Sequence, residues 1–580
     1  MYVRVSSRTN KSGQVVRYLQ LAHNEWDARA GVSRTKVLHS FGREDELDRG
    51  AVERLVTALT KLLDPAAAAA LTGPADMVFT DARPMGGAFA LDGLWRRLGV
   101  DTAIRAALAG KRVDASRVER ILFGLTANRA LKPSSKLAAT EWITHDVHIP
   151  GLSDVIDEAC YRAMDMLLAV EAVLAKEVYH RVADLLNLEV DLLFFDTTST
   201  YFETGEHDQL AARDETGRVR PGAEASDPVR DSGFPTHGKS KHHREDLPQV
   251  VVGMAVTRAG IPVRVWSWPG NYSDSALIRQ VKDDMRDWSL ARIVWVADRG
   301  FSSAENRRYL QRAGGHYILG EKLRSGTDEA TAALSRQGRY ATVADNMQVK
   351  EVKIHDAGDR FVICFNPEAA QRDKHIRDDL LARLTDTIAD SDKLNPTKRA
   401  ELRGVISTKP GLNRYLRLTA GGLLRIDQAA VKAETRLDGK YLLRCSDPKL
   451  SPEDIAVGYK QLLQVERGWR DMKSILDLRP VYHRLEDRIR AHVLLCWLAL
   501  LLVRVAETTT GHTWPTIRTE LDRLHTITFT GPTGTFRQRT ELTKPQRDLF
   551  TALALTPPKK IIEVTTRSAE EGQPTDAPAT

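Results

Sequence analysis

The sequence predicts a multidomain α/β protein whose central part is one mixed sheet with helices on its faces. Three observations predict it. Between residues 190 and 320, short β-branched runs alternate with segments of helical period. The chain has 580 residues, enough for about three to five domains. Its composition, 42% hydrophobic and 28% charged, suits a chain that buries a real core. That excludes a wholly disordered, collagen-like or disulfide-stapled protein.

Residues 1–50 contain three short strands, YVRVSS, RYLQLAH and TKVLHSFG, followed by a helix from Gly50 to Leu63. Ala88 to Leu186 is helical by period, with a break at Lys132-Pro133. The pattern changes at Glu189. VDLLFFD (190–196) is an apolar run too short for a helix, and it ends in Asp. QVVVGMAVT and IPVRVWSW flank Arg258-Ala259-Gly260 and read as a hairpin. A helix (273–288), the strand RIVWVAD (292–298), a capped helix (302–315) and the strand HYILG (316–320) follow. The next 120 residues or so read as a β-rich insertion carrying a charged helix from Pro367 to Asp390. One helix then starts at Ser451, with Ser as N-cap and Pro452 at N1, and runs through EDIAVGYKQLLQVERGWRDMKSIL. A second covers Glu486 to Glu507, and the polar tail from Thr566 reads as disordered. The expected organisation is a small β/α domain (1–75), a helical region (76–186), the first part of the sheet core (187–325), the insertion (326–446), the second part of the core (447–520) and a C-terminal extension (521–580).

The formal net charge of +7 is mild for this length and permits a polyanion partner without requiring one. The four cysteines, Cys160, Cys364, Cys445 and Cys496, form no Cys-x-x-Cys pair, so a zinc site or disulfide framework is not expected, and a reducing cytosol fits. The N-terminus has no apolar stretch of the secretory kind. The most apolar run, Val493 to Val503, is shorter than the roughly 20 residues a membrane span needs, so it reads as a buried helix. No GxxxxGK[ST] or G-x-S-x-G element is present, so neither a nucleotide cofactor nor a serine nucleophile is expected.

Three acids stand out. Asp196 and Asp298 each end an apolar strand, where an α/β sheet presents functional groups. Taken singly, an Asp there is more often a turn or cap residue. Glu466 lies mid-helix, where a glutamate is usually on a solvated face. With about 100° per residue, Tyr459, Leu462, Glu466, Arg470 and Lys473 form one stripe. Together the acids are more specific than any one alone. Three carboxylates converging on one sheet edge repel unless a divalent cation sits between them. Oxygen ligands suit Mg²⁺ or Mn²⁺, and two such ions about 3.5–4 Å apart serve in-line phosphoryl transfer. The loop with His237, Lys239, Lys241, His242, His243 and Arg244 reads equally as a solvated loop or as a contact for a DNA backbone. Arg467 to Arg490 is locally basic, as phosphate binding needs. Trp266, Trp268, Trp295 and Trp469 read as core packing, with base stacking the lesser reading for Trp469.

The stretches FFDTTSTYFE, VWVADRGFSS and YKQLLQVERGWRDMK resemble those of DDE transposases of bacterial insertion sequences. The last is similar to the Tyr-x2-Arg-x3-Glu-x6-Lys signature of the insertion-sequence-four superfamily. Tyr459, Glu466 and Lys473 match it, and Leu462 stands at the Arg position, for which Arg470 or Arg467 is the substitute on offer. The insertion between Asp298 and Glu466 also resembles that superfamily's β-rich insert, and GKSKHHREDLPQ and the overall layout look most like its IS-sixteen-thirty-four-like branch. The resemblance implies a ribonuclease H-like catalytic core interrupted by the insertion. It implies Asp196, Asp298 and Glu466 as catalytic ligands of two Mg²⁺ (or Mn²⁺) ions, with Tyr459 and Lys473 on DNA near the cleaved phosphate. Arg470, Lys239, Lys241 and Arg244 are the further DNA-contact candidates. The implied partners are double-stranded DNA, as terminal inverted repeats and as target, and a second copy on DNA, in a bacterial cytoplasm and without a membrane. A metal-dependent nuclease that only hydrolyses, or a silent DNA-binding descendant, are the other readings of the same residues.

Overall fold

The structure is a computed structural model. It describes residues 2–10, 15–27, 31–48, 50, 52, 56, 78–185, 192–203, 208, 210–214, 216–220, 230–286, 288, 293–324, 326–354, 358–479, 481, 483–531 and 534–566. Of the helix expected at Gly50–Leu63 only residues 50, 52 and 56 are described, all helical, and of the tail expected from Thr566 only Thr566 itself; the rest lies outside the described residues.

The chain divides into two compact units. One comprises 1–82, 526–541 and 558–580. It contains an antiparallel sheet of β1 (Tyr2–Thr9), β2 (Val15–Asp27) and β3 (Val32–Arg43). It also contains a four-stranded sheet in which β4 (Val78–Pro84) neighbours the C-terminal strand His525–Gly531, followed by Gly534–Arg539 and Ile561–Thr566.

The other unit, 83–525 and 542–557, holds the candidate site. It opens with helices α1 (Gly86–Arg97), α2 (Val100–Leu108), α3 (Ala115–Leu131), α4 (Lys136–Glu141) and α5 (Asp157–Leu185). The sheet begins with β5 (Leu192–Tyr201), and a short pair, β6 (Ala211–Arg213) and β7 (Arg230–Ser232), leads to β8 (Gln249–Thr257) and β9 (Pro262–Pro269). Gly260, with φ of +78°, makes the β8–β9 turn that a side chain would strain. Then come α6 (Asp274–Asp284), β10 (Val294–Ala297), α7 (Ala304–Gln311) and β11 (His316–Glu321).

Residues 326–446 form α8 (Asp328–Ser335), β12 (Ala341–Ala344), β13 (Met347–Val352), β14 (Arg360–Phe365), α9 (Pro367–Ile388), α10 (Pro396–Ser407), α11 (Pro410–Asn413), the small hairpin β15 (Leu416–Leu418) and β16 (Leu424–Ile426), α12 (Gln428–Thr435) and β17 (Lys440–Cys445). More of this segment is helix than strand, which corrects the β-rich expectation. Its two longest helices, α9 and α10, are charged and largely exposed, and the apolar strands between the helices dominate a reading by hydrophobicity. Four of its strands join the main sheet, while β15 and β16 pair only with each other. The main sheet has nine strands in the order β12-β13-β14-β17-β11-β10-β5-β8-β9. Leu384, Ile406, Leu412, Tyr415 and Leu424 close a small core of the segment's own.

The helix expected from Ser451 is two helices, α13 (Pro452–Lys460) and α14 (Leu463–Ser474). Its start is as expected: Ser451 and Asp454 form a capping box with Pro452 in the first turn. At the break, Gln461, Leu462, Gln464 and Val465 each donate to the carbonyl three residues back, a tightened turn without Pro or Gly. Tertiary packing imposes it, since α13 lies on β11, β13 and β17 while α14 lies on β5 and β8.

α15 (Glu486–Thr510) is long and apolar enough to cross a membrane, yet 94% of its apolar window is buried inside this unit, against α3, α5 and β9. Beside it Lys136, only 3% exposed, sits 3.4 Å from Nδ1 of His492. Burial, with Arg129 adding repulsion, pushes the Lys136 ammonium from 10.5 down to about 7. A lowered folded-state pKa contributes stability above the unfolded value and loses it as pH falls through the folded one. Lys136→Met is therefore expected to raise the melting temperature by roughly 2–6 °C at pH 7 and below, with the gain shrinking toward pH 10. Calorimetry across that range checks both sign and window.

Candidate active site

Strand register builds the site. β10 pairs parallel with β5, Val294 opposite Leu192 through Ala297 opposite Phe195. The next residue on each strand is Asp298 and Asp196, so two carboxylates stand on neighbouring strands, at a spacing of about 4.8 Å between backbones. Asp298 ends its strand as expected. Asp196 does not: β5 runs on to Tyr201, paired with β8 from Leu193 opposite Thr257 to Tyr201 opposite Gln249. The run TTSTY is polar but β-branched, and β8 alone suffices to hold it in the sheet. Past Ala297 the β10 side of β5 has no strand. The loop expected to be solvated or DNA-facing covers it instead.

That loop is pinned by its own polar groups. Lys241 Nζ donates to Thr197 O at 2.6 Å and Thr197 Oγ1 at 2.7 Å, and lies 3.1 Å from Asp274 Oδ2 and 3.7 Å from Asp196 Oδ1. Thr197 Oγ1 donates to Asp274 at 2.7 Å, and the Lys241 backbone N–H donates to Ser199 Oγ. His242 Nε2 lies 3.2 Å from Ser199 O and 2.9 Å from Lys473 Nζ. Lys473 also donates to Thr198 Oγ1 at 2.5 Å. Lys241 therefore faces the acids, and Arg244 is paired with Asp246 at 2.9 Å; Lys239 is exposed. Asp274 and the clamping role of Lys241 were not read from the sequence. The signal for Asp274 was its place at the start of α6, where Asp reads as a helix-start residue and no more.

Asp196, Asp298 and Glu466 line one cavity of about 330 Å³ with Asn346, Asn366, Tyr441, Tyr459 and Leu462. The segment 326–446 thus supplies part of the wall. Tyr459 donates to Asp298 Oδ1 at 3.1 Å and stacks on Tyr441. Gly320 leaves the space its phenol occupies, because a Cβ there would meet Tyr459 Oη. Burial, then Asp298, push the Tyr459 phenol well above its usual range. Burial raises Asp196 to about 6, with Lys241 opposing and Asp274 and Asp298 adding to the rise. Lys473 is lowered to about 8 by burial, Arg479 and Lys241. Glu466 is exposed on α14 across the cavity, so the three acids share it without crowding into one shell. Among the described residues no three His, Cys, Asp or Glu stand close enough to hold one ion. The adjacent hard carboxylates of Asp196 and Asp298 do fit a divalent cation, since their mutual repulsion is what such a cation relieves.

The cations near Glu466 sort by partner. Arg467 bonds Glu507 at 3.0 Å, within a network in which Arg504 bridges Asp471 and Glu507, each at 2.6 Å. It is thus committed to tying α14 to α15, which removes it as a stand-in at the Leu462 position. Arg488 and Arg490 are likewise paired, with Asp165 and Glu486. Arg470 is exposed. Trp266, Trp268, Trp295 and Trp469 are all buried, at most 5% exposed, as the packing reading has it.

A raised carboxyl pKa makes folding stability fall as pH rises through about 6. Lys241→Met removes the charge that opposes this rise. Its melting temperature is expected to fall below that of the parent by roughly 2–5 °C at pH 8 and by less at pH 5, and a thermal shift series in chelator checks it.

Comparison with known proteins bears on this site. A model of the transposase DDE domain matches residues 230–502, a span that contains Asp298 and Glu466 and begins after Asp196. A model of the N-terminal domain of IS1634 family transposases matches residues 3–69. No curated protein matches the chain. Among solved structures, the cryo-electron microscopy structure of a piggyBac transposase synaptic complex with hairpin DNA is similar at 10% identity. The match covers 76% of this chain and 82% of that one, with a TM-score of 0.31, too low to carry an argument. The two family matches, to residues 3–69 and 230–502, identify it: the chain belongs to the DDE transposases, enzymes that cut and join DNA, in their IS1634-like branch.

Proposed function

We propose that Asp196, Asp298 and Glu466 are the catalytic carboxylates of this transposase and that its core is ribonuclease H-like. The carrying observation is the β5–β10 register, which sets Asp196 beside Asp298 on the cavity that Glu466 also lines. The strand order β11-β10-β5-β8-β9, with β8 alone antiparallel, supports the core assignment. Asp196 and Asp298 would hold the divalent cations, with Glu466 as the third carboxylate on the same cavity. When bound, two Mg²⁺ or Mn²⁺ ions supply Lewis-acid activation of the attacking oxygen and neutralise charge at the phosphate. Tyr459 keeps Asp298 in one orientation through its hydrogen bond. Lys241 keeps Asp196 and Asp274 compatible in the metal-free protein.

Two steps follow on the DNA. Water attacks a phosphorus at the element's end, the bond to the 3′ oxygen breaks and a free 3′-hydroxyl remains. That hydroxyl then attacks a target phosphodiester, forming one phosphoester bond as another breaks, with no covalent link to the protein. The DNA contacts fall to Lys473, Arg470 and Lys239. Tyr459, Lys241 and Arg244 act from within, through Asp298, Asp196 and Asp246. The substrates are terminal inverted repeats and target duplex, engaged by two copies of the chain in a bacterial cytoplasm, at the nucleoid when on DNA.

Asp196→Asn, Asp298→Asn and Glu466→Gln are each expected to lower end cleavage by about 10³-fold or more while end binding persists. A gel assay on labelled ends with Mg²⁺ reads both, and full cutting by any of the three would refute the assignment. Supplying precut 3′-hydroxyl ends and a target plasmid should give joined products that chelator abolishes. Cutting without joining would mark a nuclease instead.

A further inference from the structure

The side of Asp196 facing Tyr201 carries more positive charge than the protein itself neutralises. Lys473 and His242 touch, and burial, then Lys473 and Arg479, lower the His242 pKa. Arg479 and Arg244 both lie over the Tyr201 ring, at 4.7 Å and 5.3 Å, and His242 meets that ring edge-on. Arg244 has Asp246 as a partner. Lys473 and Arg479 have no carboxylate within ion-pair distance among the described residues; Lys473 lies against Thr198 and His242 and feels Asp196 only at longer range, and Arg479 lies over the Tyr201 ring. His242 and Lys473 are also mismatched. One ring nitrogen, Nε2, is offered an ammonium donor at 2.9 Å and a carbonyl acceptor at 3.2 Å, and it can satisfy only one of them. An anion that accepts from Lys473 would free Nε2–H to donate.

We propose that His242, Lys473 and Arg479 form a clamp for one backbone phosphate of the DNA strand being processed, adjoining the phosphate at the acids. The inference rests on the DNA-cutting reading above and extends it to His242 and Arg479, which lie outside the three acids and the signature lysine. Strand geometry sets the distance. Thr198, which holds Lys473, is two residues beyond Asp196 on the same face of β5, about 7 Å away along the strand. A guanidinium on an aromatic face presents its N–H groups outward, which suits bidentate grip on a phosphate. The three side chains are half-buried, so a phosphate reaching them sheds only part of its water. Lys241, its donors occupied by Thr197 and Asp274, holds the loop that carries His242 rather than the DNA.

The test uses the full chain and a duplex bearing the terminal inverted repeat that flanks its gene. Wild-type binding and Mg²⁺-dependent cutting are measured first; if both are absent, the functional reading itself has failed. Given both, Arg479→Gln and His242→Asn are each expected to weaken end binding about tenfold, and Arg479→Gln to lower the salt slope by about 1. Arg479→Lys, which keeps the charge, should retain the slope, and thermal melts confirm that each variant is folded. A scan of single neutral methylphosphonates around the cut site should then find one position that weakens the wild type about tenfold and leaves Arg479→Gln unaffected. Unchanged affinity and slope in folded variants, or losses that simply multiply at every position, would overturn the clamp while leaving the cutting assignment intact.

Discussion

The structure turns on one constraint: two parallel strands stop pairing at the same level, and the next residue on each is an aspartate. Neighbouring strands are about 4.8 Å apart, so register alone brings the carboxylates together, and no flexible loop has to place them. Burial raises Asp196 to about 6, and the neighbouring carboxylates of Asp274 and Asp298 add to the rise. The surroundings answer that cost piece by piece. Lys241 supplies a positive charge on the Asp196 side, and Tyr459 donates to Asp298 on the other. Rigid strands, a donated hydrogen bond and a tethered ammonium hold the pair in place before any cation arrives, the kind of preorganisation that electrostatic catalysis rewards.

The third acid is held in a different way. Glu466 rides on α14, and α14 is anchored from its back face. Gly468 lets the helix approach Met254 of β8 closely, and the network Arg467–Glu507–Arg504–Asp471 ties it to α15. Removing Arg504, its buried centre, costs on the order of 3–5 kcal/mol, because carboxylates are left unpaired. The middle of α15 is apolar and buried, and its Arg504 and Glu507 sit where α14 needs partners. The most hydrophobic segment of the chain is thus the fixed reference for one wall of the site. The turn at Gln461–Leu462, by contrast, makes no such ties and separates Tyr459 from Glu466.

Much of this was legible in the sequence, for identifiable reasons. Asp196, Asp298 and Glu466 stand in short motifs, and the hairpin at Gly260 and the start at Ser451 obey local chemistry that needs no tertiary context. The break at Gln461 has no local signal, since neither Gly nor Pro marks it and packing on different strands imposes it. The continuation of β5 through TTST was hidden because its neighbour on one side is a loop, not a strand, so no apolar alternation betrays it. The fate of Lys241 and Arg467 was equally out of reach. A sequence shows that a cation is near a motif but not which acid, 30 or 40 residues away, consumes it.

That last point changes how the charge of this protein is counted. In the basic stretch from Arg467 to Arg490, Arg467, Arg488 and Arg490 are committed to internal carboxylates, so most of its apparent excess is structural. What is left next to the acids is small in number and concentrated: Lys473 and Arg479, with His242 beside them. Leu462, where the family signature has arginine, makes the cavity wall apolar on the Glu466 side. The positive charge beside Asp196 lies on its Tyr201 side. A phosphate chain entering the site therefore meets an asymmetric field, negative and relieved by cations on one side of Asp196, positive on the other.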